Sequence, residues 1–352
     1  ESVFQWQYPC DPSDMVHFRK RIGKKGVEKI FRLSVELRED EIRTKDLLVD
    51  STAQEKNITY PTDAKLLIKV IKRCNKIADA EQITQRQSYR RTIKKLLLAQ
   101  RFAHHPKRKK KANAALRKLR TLAGRLVREL ERKLSEQALN AYAGELNLFH
   151  QVISQKRSDT NKIYSLHEPE VACIAKGKTH KKFEFGSKVS FAVVPGSNII
   201  VGVQTFLGNP NDSITLEPTL KHVDTSCGKK FKNVILDRGY KVKNQVNGIT
   251  VVTPKPPNSK QPYSSSTMRK KCRKRAGVEP IIGHVKQYCR MQRNFLKGGN
   301  GDQMNALLAA TGFNLRGLLN KIKEQNFCAF IFSNFWPNHS RISLDNMLNF
   351  GS

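Results

Sequence analysis

The rhythm of apolar positions changes three times along the chain. After an extended start, Asp11-Pro12-Ser13-Asp14 is a helix-start signal, because an Asp side chain accepts from free first-turn N–H groups and Pro fits there without loss. It predicts a short helix through Met15 to Ile22, with Gly23-Lys24-Lys25-Gly26 as a turn. Val27, Ile30, Phe31 and Ser34 then give helical spacing to about Leu37. Two short helices across a basic turn fit part of a helix-turn-helix, or equally a small helical hairpin packed on the next domain. Residues 46–53 read Asp-Leu-Leu-Val-Asp-Ser-Thr-Ala, a short apolar run that predicts a buried strand ending at Asp50.

Residues 62–150 hold almost no Gly or Pro and repeat at the helical period. Ala64, Leu67, Ile68 and Ile71 mark one helix, and Ile93, Leu96, Leu97 and Leu98 another. Leu116, Leu119, Leu122, Leu126, Leu130 and Leu134 mark a third, long one. Residues 151–180 read as a polar loop. From Phe183 the period becomes two, with Phe183, Phe185, Val189, Phe191 and Val193 on one face. Pro195-Gly196-Ser197 turns the chain, and Ile199 to Phe206 returns as the second strand of a hairpin. A helix is expected over Ile214 to Val223, a strand over Lys232 to Asp237, and a turn at Asn247-Gly248 before a strand from Ile249 to Thr253. Pro254 to Ser266 is a Pro/Ser-rich loop, and 279–293 and 302–324 are helical. The tail from Phe327 has no assigned role. This order predicts a mixed α/β layer fold with a helical block inserted after its first strand.

Charge narrows the function. The chain has 352 residues, 65 Lys plus Arg against 30 Asp plus Glu, and a formal net charge of +35. That excess calls for a polyanion, and nucleic acid suits it better than an anionic membrane, because the basic stretches lack Trp and Phe at helical spacing. From Arg101 to Lys133 there are 13 basic residues against Glu129 and Glu131, which makes Lys107, Arg108, Lys109 and Lys110 candidate DNA contacts; the alternative is a solvated helix face. No window of 18 apolar residues predicts a membrane span. The first residues lack the pattern of a signal peptide, and the absence of an initial Met leaves room for upstream sequence. Seven scattered cysteines without a Cys-x-x-Cys pair argue for a reducing compartment and against a zinc ribbon.

In so basic a chain, three acids stand out. Asp50 and Asp237 each end an apolar strand, Leu47-Leu48-Val49 and Val234-Ile235-Leu236. Glu279 is the one acid among nine basic residues from Arg269 to Arg293. It precedes Pro280, so it is expected to cap a helix, with Lys286 on the same face two turns on. Singly, the strand-end acids read as caps, and Glu279 as an ion-pair partner of Arg275 or Lys286. Together, three carboxylates repel unless a cation joins them, and hard oxygen donors suit Mg²⁺ or Mn²⁺. Two such ions can support phosphodiester cleavage. Asp212 reads as a helix cap or as a residue behind the site. His167 and His284 are set aside as single histidines.

These residues resemble the DDE transposases of bacterial insertion sequences, in particular the branch with a Tyr-Arg-Glu-Lys signature. Arg275, Glu279 and Lys286 have its spacing, and Cys272 stands at the Tyr position. Val234-Ile235-Leu236-Asp237-Arg238-Gly239-Tyr240 looks like the second-aspartate motif, and Leu47-Leu48-Val49-Asp50-Ser51-Thr52 like the first. The runs 55–65 and 163–169 also look like sequence of one sub-branch. The resemblance covers roughly residues 4–324. It implies a ribonuclease-H-like mixed sheet flanked by helices, with the core at 46–60 and 151–325. Residues 61–150 would be the basic helical insertion, 1–45 a helical remnant of a DNA-binding region, and 326–352 a tail. It also implies cut-and-paste transposition with two Mg²⁺ ions, Mn²⁺ substituting. Asp50, Asp237 and Glu279 would be metal ligands and catalytic residues, and Arg275, Lys286 and Arg238 would hold phosphates. The expected partner is double-stranded DNA, bound by a homodimer in the cytoplasm, at the nucleoid. The competing readings are an inactive or domesticated basic DNA-binding protein, and a repair or recombination nuclease that cleaves without joining.

Overall fold

The computed structural model describes residues 10–175, 181–255 and 266–335, with Thr267 and residues 326–335 described through their backbone only. Helix α1 spans Pro12–Glu36. Asp11 caps it, accepting from the Ser13 N–H at 2.8 Å, while Asp14 accepts from the Asp11 N–H at 3.1 Å. The expected four-residue turn contracts to a kink at Gly23, whose φ of 57° and ψ of −165° leave the helical region for one residue. Helical geometry resumes at once, so the two expected helices are one bent helix.

Strand β1 runs over Asp46–Lys56 and is the spine of the sheet. Asp50 therefore lies mid-strand, not at its end. Four helices follow before the next strand: α2 (Asp63–Ala80), α3 (Arg90–Gln100), α4 (Pro106–Lys133) and α5 (Glu136–Ser154). Their apolar stripes face one another, and Leu67, Ile71, Leu119, Leu126, Leu130 and Phe149 form a core of their own. The stretch 151–180 is not all loop: after the end of α5 it includes a short strand, β2 (Ala172–Ala175), while residues 176–180 lie outside the described residues.

The expected hairpin is present as β3 (Phe183–Val194) and β4 (Ile199–Phe206), its turn closed by Gly196 at φ 92° and Asn198 at φ 55°. Helix α6 (Asp212–Ser226) leads to β5 (Asn233–Ile235), then to the hairpin β6 (Gln245–Val246) and β7 (Ile249–Val252) across Asn247-Gly248. The Pro/Ser-rich stretch falls largely outside the described residues. Helix α7 (Ser266–Lys274), a 3₁₀ turn (Arg275–Gly277) and α8 (Val278–Tyr288) then follow without a break, before β8 (Arg293–Asn294) and α9 (Gly298–Phe335). Because Gly277 is the cap of α8, Glu279 sits inside its first turn and is not the cap expected from sequence. Helix α9 crosses 325/326 without interruption, and the tail from residue 336 lies outside the described residues.

The sheet is open and mixed. Along one edge of β1 lies β3, antiparallel, with Asp50 opposite Phe191; β3 is paired on its far side by β4 and, at its start, β2. The other edge of β1 is shared end to end by two parallel strands, β5 against Asp46–Leu48 and β8 against Glu55–Lys56. Beyond β5 lie β7 and β6. A second core fills the space between sheet and helices, with Phe31 of α1, Leu47, Phe191, Leu220 of α6, Val285 of α8 and Leu307 of α9 all buried. This mixed sheet flanked by helices is compatible with a ribonuclease-H-like fold. Among the described residues no helix is long and apolar enough to cross a membrane.

Candidate active site

The gap on the second edge of β1 sets the site. Parallel pairing of β1 and β5 ends at Leu48 and Ile235. Asp50 and Asp237 each stand two residues beyond that last pair. Equal offsets from a parallel pair keep the two carboxylates on one face, where the strands part. The Ser51 N–H donates to Asp50 Oδ1 at 2.8 Å and the Arg238 N–H to Asp237 Oδ1 at 2.7 Å, which fixes both side chains.

Arg275 is the hub. Its guanidinium meets Asp237 Oδ1 at 3.2 Å and Glu279 Oε1 at 2.9 Å, and its charge also acts on Asp50. Four residues to the helical turn place Arg275 and Glu279 side by side. The structure thus gathers Asp50, Asp237, Arg275 and Glu279, as the sequence suggested, but around a guanidinium. Glu279 stays 64% exposed, and among the described residues no three His, Cys, Asp or Glu side chains converge in the manner of a metal-ligand cluster.

Of the two readings open for Asp212, a helix cap or a residue behind the site, the second describes its contacts, and Ser51 and Lys188 join it there. Asp212 opens α6, yet Asn211 is the cap, its side chain accepting from the Ser213 N–H at 3.1 Å. Asp212 Oδ1 instead accepts from Ser51 Oγ at 2.6 Å and from Lys188 Nζ at 2.9 Å, tying α6 to β1 and β3 beside Asp50. Lys188 also donates to the Pro210 carbonyl at 2.7 Å. The one available signal was Lys188 itself, a lone charge in the apolar part of β3. Tyr240 is buried, its hydroxyl near Asp50 and Asp212, and burial pushes its pKa upward.

Burial is the largest influence on Asp50 and raises its pKa; the Asp237 and Asp212 carboxylates raise it further, while the Ser51 N–H and Arg275 oppose. Carboxylates that hold each other's charge out of balance, with only hard oxygen donors among them, are chemically suited to a divalent cation.

The remaining candidates lie elsewhere or further out. Lys286 faces Glu184 of β3 at 4.0 Å. Arg238 is exposed beside Asp237. Lys107, Arg108, Lys109 and Lys110 are exposed on the first turns of α4, well outside this constellation in the helical block. Cations there oppose the helix dipole, so their own helix gains nothing from them. His167 meets Ser165 Oγ at 2.9 Å, and His284 stacks on Tyr288 at 5.4 Å; neither joins the acids.

Residues 159–315 match the family model of the transposase DDE domain. The match takes in Asp212, Asp237, Arg275, Glu279 and Lys286, and begins after Asp50 and the helical block. The chain is also 39% identical over 107 residues to a Rhizobium meliloti protein described as "Uncharacterized protein ORF8 in nfe locus", an alignment covering 29% of this chain and 52% of that protein. The chain thus spans about half the length of that curated relative.

Proposed function

We propose that the protein is a DDE transposase of the Tyr-Arg-Glu-Lys branch, which hydrolyses phosphodiesters at transposon ends and joins the freed 3′ hydroxyl to target DNA. The observation that carries this reading is that Asp50 and Asp237 face each other just beyond the last paired residues of β1 and β5, in a chain whose residues 159–315 match a transposase DDE domain. Asp50 and Asp237 would hold the divalent ions, two Mg²⁺ or Mn²⁺, and Glu279 would complete the carboxylate set. When bound, the metal supplies charge neutralisation and activates the attacking oxygen.

The chain's own residues do the rest. Arg275, already balanced between two acids, presents a guanidinium whose fork geometry matches a phosphate. Arg238, exposed one residue past Asp237, reaches the backbone on the open side. The Ser51–Asp212–Lys188 chain of contacts keeps β1 from sliding at Asp50. The core would comprise 46–60 and 151–325 with 61–150 as its basic insertion, and the protein would act as a dimer on DNA in the cytoplasm, at the nucleoid.

Strand transfer tests this. A duplex with a pre-formed 3′ hydroxyl end, incubated with plasmid and Mn²⁺, is expected to give joined products with the wild type and none with Asp237→Ala, both proteins binding DNA alike. Cleavage without joining would assign the chain to nucleases on the same scaffold; joining by Asp237→Ala would remove Asp237 from the site.

A further inference from the structure

The turn between α3 and α4 carries an apolar point on a cationic base. Phe102 is 65% exposed, and Leu98 and Leu97 are 55% and 45% exposed beside it. Ile93 and Leu96 of the same helix pack into the helical core, so Leu97 and Leu98 are left on its outer side. The backbone at Phe102 is left-handed, with φ 58°, a conformation a bulky aromatic residue rarely adopts. Hydrogen bonds hold it there. The Arg101 N–H donates to the Leu98 carbonyl at 3.2 Å and the His105 N–H to the Phe102 carbonyl at 3.0 Å. Gln100 Nε2 clamps the end of α3 to the Ala112 carbonyl of α4 at 2.5 Å. The ring is therefore held outward by a braced turn.

Its surroundings select the partner. From residue 82 to residue 128 the sequence has 16 Lys and Arg and no acid. Arg101 and Lys107 to Lys111 are exposed around the turn, and the Arg108 guanidinium lies 5.6 Å from the centre of the Phe102 ring. A second copy of so positive a surface would be repelled. A membrane would need a longer apolar stripe, and the stripe of α4 is already buried. Duplex DNA offers both what the cations need and, between its base pairs, an apolar slot for a ring.

We propose that Phe102 is a wedge that enters between base steps of duplex DNA, with Leu97 and Leu98 lining its path and Lys107 to Lys111 gripping the flanking phosphates, so that the helical block bends the DNA it binds. The proposal rests on the reading of the chain as a DNA-acting protein and adds to it a site remote from the acids.

The test uses the full chain and a short random-sequence duplex with a donor and an acceptor dye at its ends. The wild type is expected to shorten the end-to-end distance. Phe102→Ala is expected to bind about tenfold more weakly, the loss of one stacked ring, and to leave the duplex straight, with an unchanged slope of log affinity against log salt. Phe102→Trp should restore the bend. The double variant Lys109→Ala, Lys110→Ala should lower the salt slope by about 1.8, near 0.9 per lost phosphate contact. Phe102 is on the surface, so Phe102→Ala and Phe102→Trp should keep the wild-type circular dichroism and melting profile. A wild type that binds without bending, or a Phe102→Ala protein that bends as well as the wild type, overturns the wedge and leaves the transposase reading standing. A wild type that does not bind the duplex overturns both. Capture by phosphatidylglycerol vesicles that needs Phe102, with no effect on DNA, would assign the point to a membrane and overturn the proposal.

Discussion

At the scale of single residues, Asp50 shows how the site opposes its own stability. Its folded pKa lies above the unfolded value, first because it is buried and then because Asp237 and Asp212 face it. A raised carboxylate pKa means that ionisation is disfavoured in the folded state. The penalty is present in full above the folded pKa and vanishes as pH falls below the unfolded value. Asp50→Asn keeps the acceptor for the Ser51 N–H and removes the charge. It is expected to raise the melting temperature by a few degrees at pH 7, with the gain shrinking toward pH 4, while abolishing cleavage. Thermal melts across that range check it; a melting temperature lowered at neutral pH would mean that Arg275 outweighs burial. Phe102→Gly is a parallel case: glycine adopts φ 58° without a Cβ penalty, so this variant should be stabilised by about 1 kcal/mol in urea unfolding. At this scale the three acids were legible because each stands out from its neighbours, whereas Arg275, one of nine basic residues, was marked only by its spacing from Glu279. Asp212 was legible only as one of two alternatives, because its partners Ser51 and Lys188 come from distant segments and nothing local separates a cap from a residue behind the site.

At the scale of elements, β1 carries the most information and was read too short. Its second half, Ser51 to Lys56, is polar, so hydrophobic periodicity stops at Asp50, yet Gln54 and Lys56 are buried. Their partners lie far along the chain. Lys56 Nζ meets Asp302 at 2.7 Å and Glu168 at 3.1 Å, and Gln54 donates to the Asp302 carbonyl at 3.1 Å. Lys56→Met would strand two buried carboxylates and is expected to destabilise the protein by about 3–5 kcal/mol in urea unfolding. A loss below about 1 kcal/mol would show that water reaches the cluster. Across the ladder, a Cβ at Gly186 would overlap the Gln54 carbonyl. Gly186→Ala should therefore part β1 from β3 and cost about 3 kcal/mol or more, with cleavage falling alongside because Asp50 moves. Helices α2, α3 and α4 were legible from their period, whereas α5 was not marked as a separate helix and α1 was expected as two. The strands β2, β6 and β8 were not legible, since two to four residues become a strand only through the neighbour they pair with.

For the whole molecule, two cores and one charge imbalance organise the protein. The helical block has its own apolar interior and keeps its cations outside, so charge and core are separable there. The sheet core places the acids at the parting of β1 and β5. With a net charge of +35, DNA affinity should fall steeply with salt whatever the sequence of the DNA. The mixed order of strands and helices was enough to infer the layer architecture. The sharing of one edge of β1 by β5 and β8 was not, because register between segments hundreds of residues apart leaves no local pattern. The phosphodiester chemistry proposed for Asp50 and Asp237 is tested most directly by nicking of supercoiled plasmid in Mn²⁺ at fixed salt, with the wild type, Asp50→Asn and Asp237→Ala purified alike. Nicking is expected from the wild type and from neither variant, all three retaining DNA binding. Equal nicking by all three would contradict the proposed chemistry.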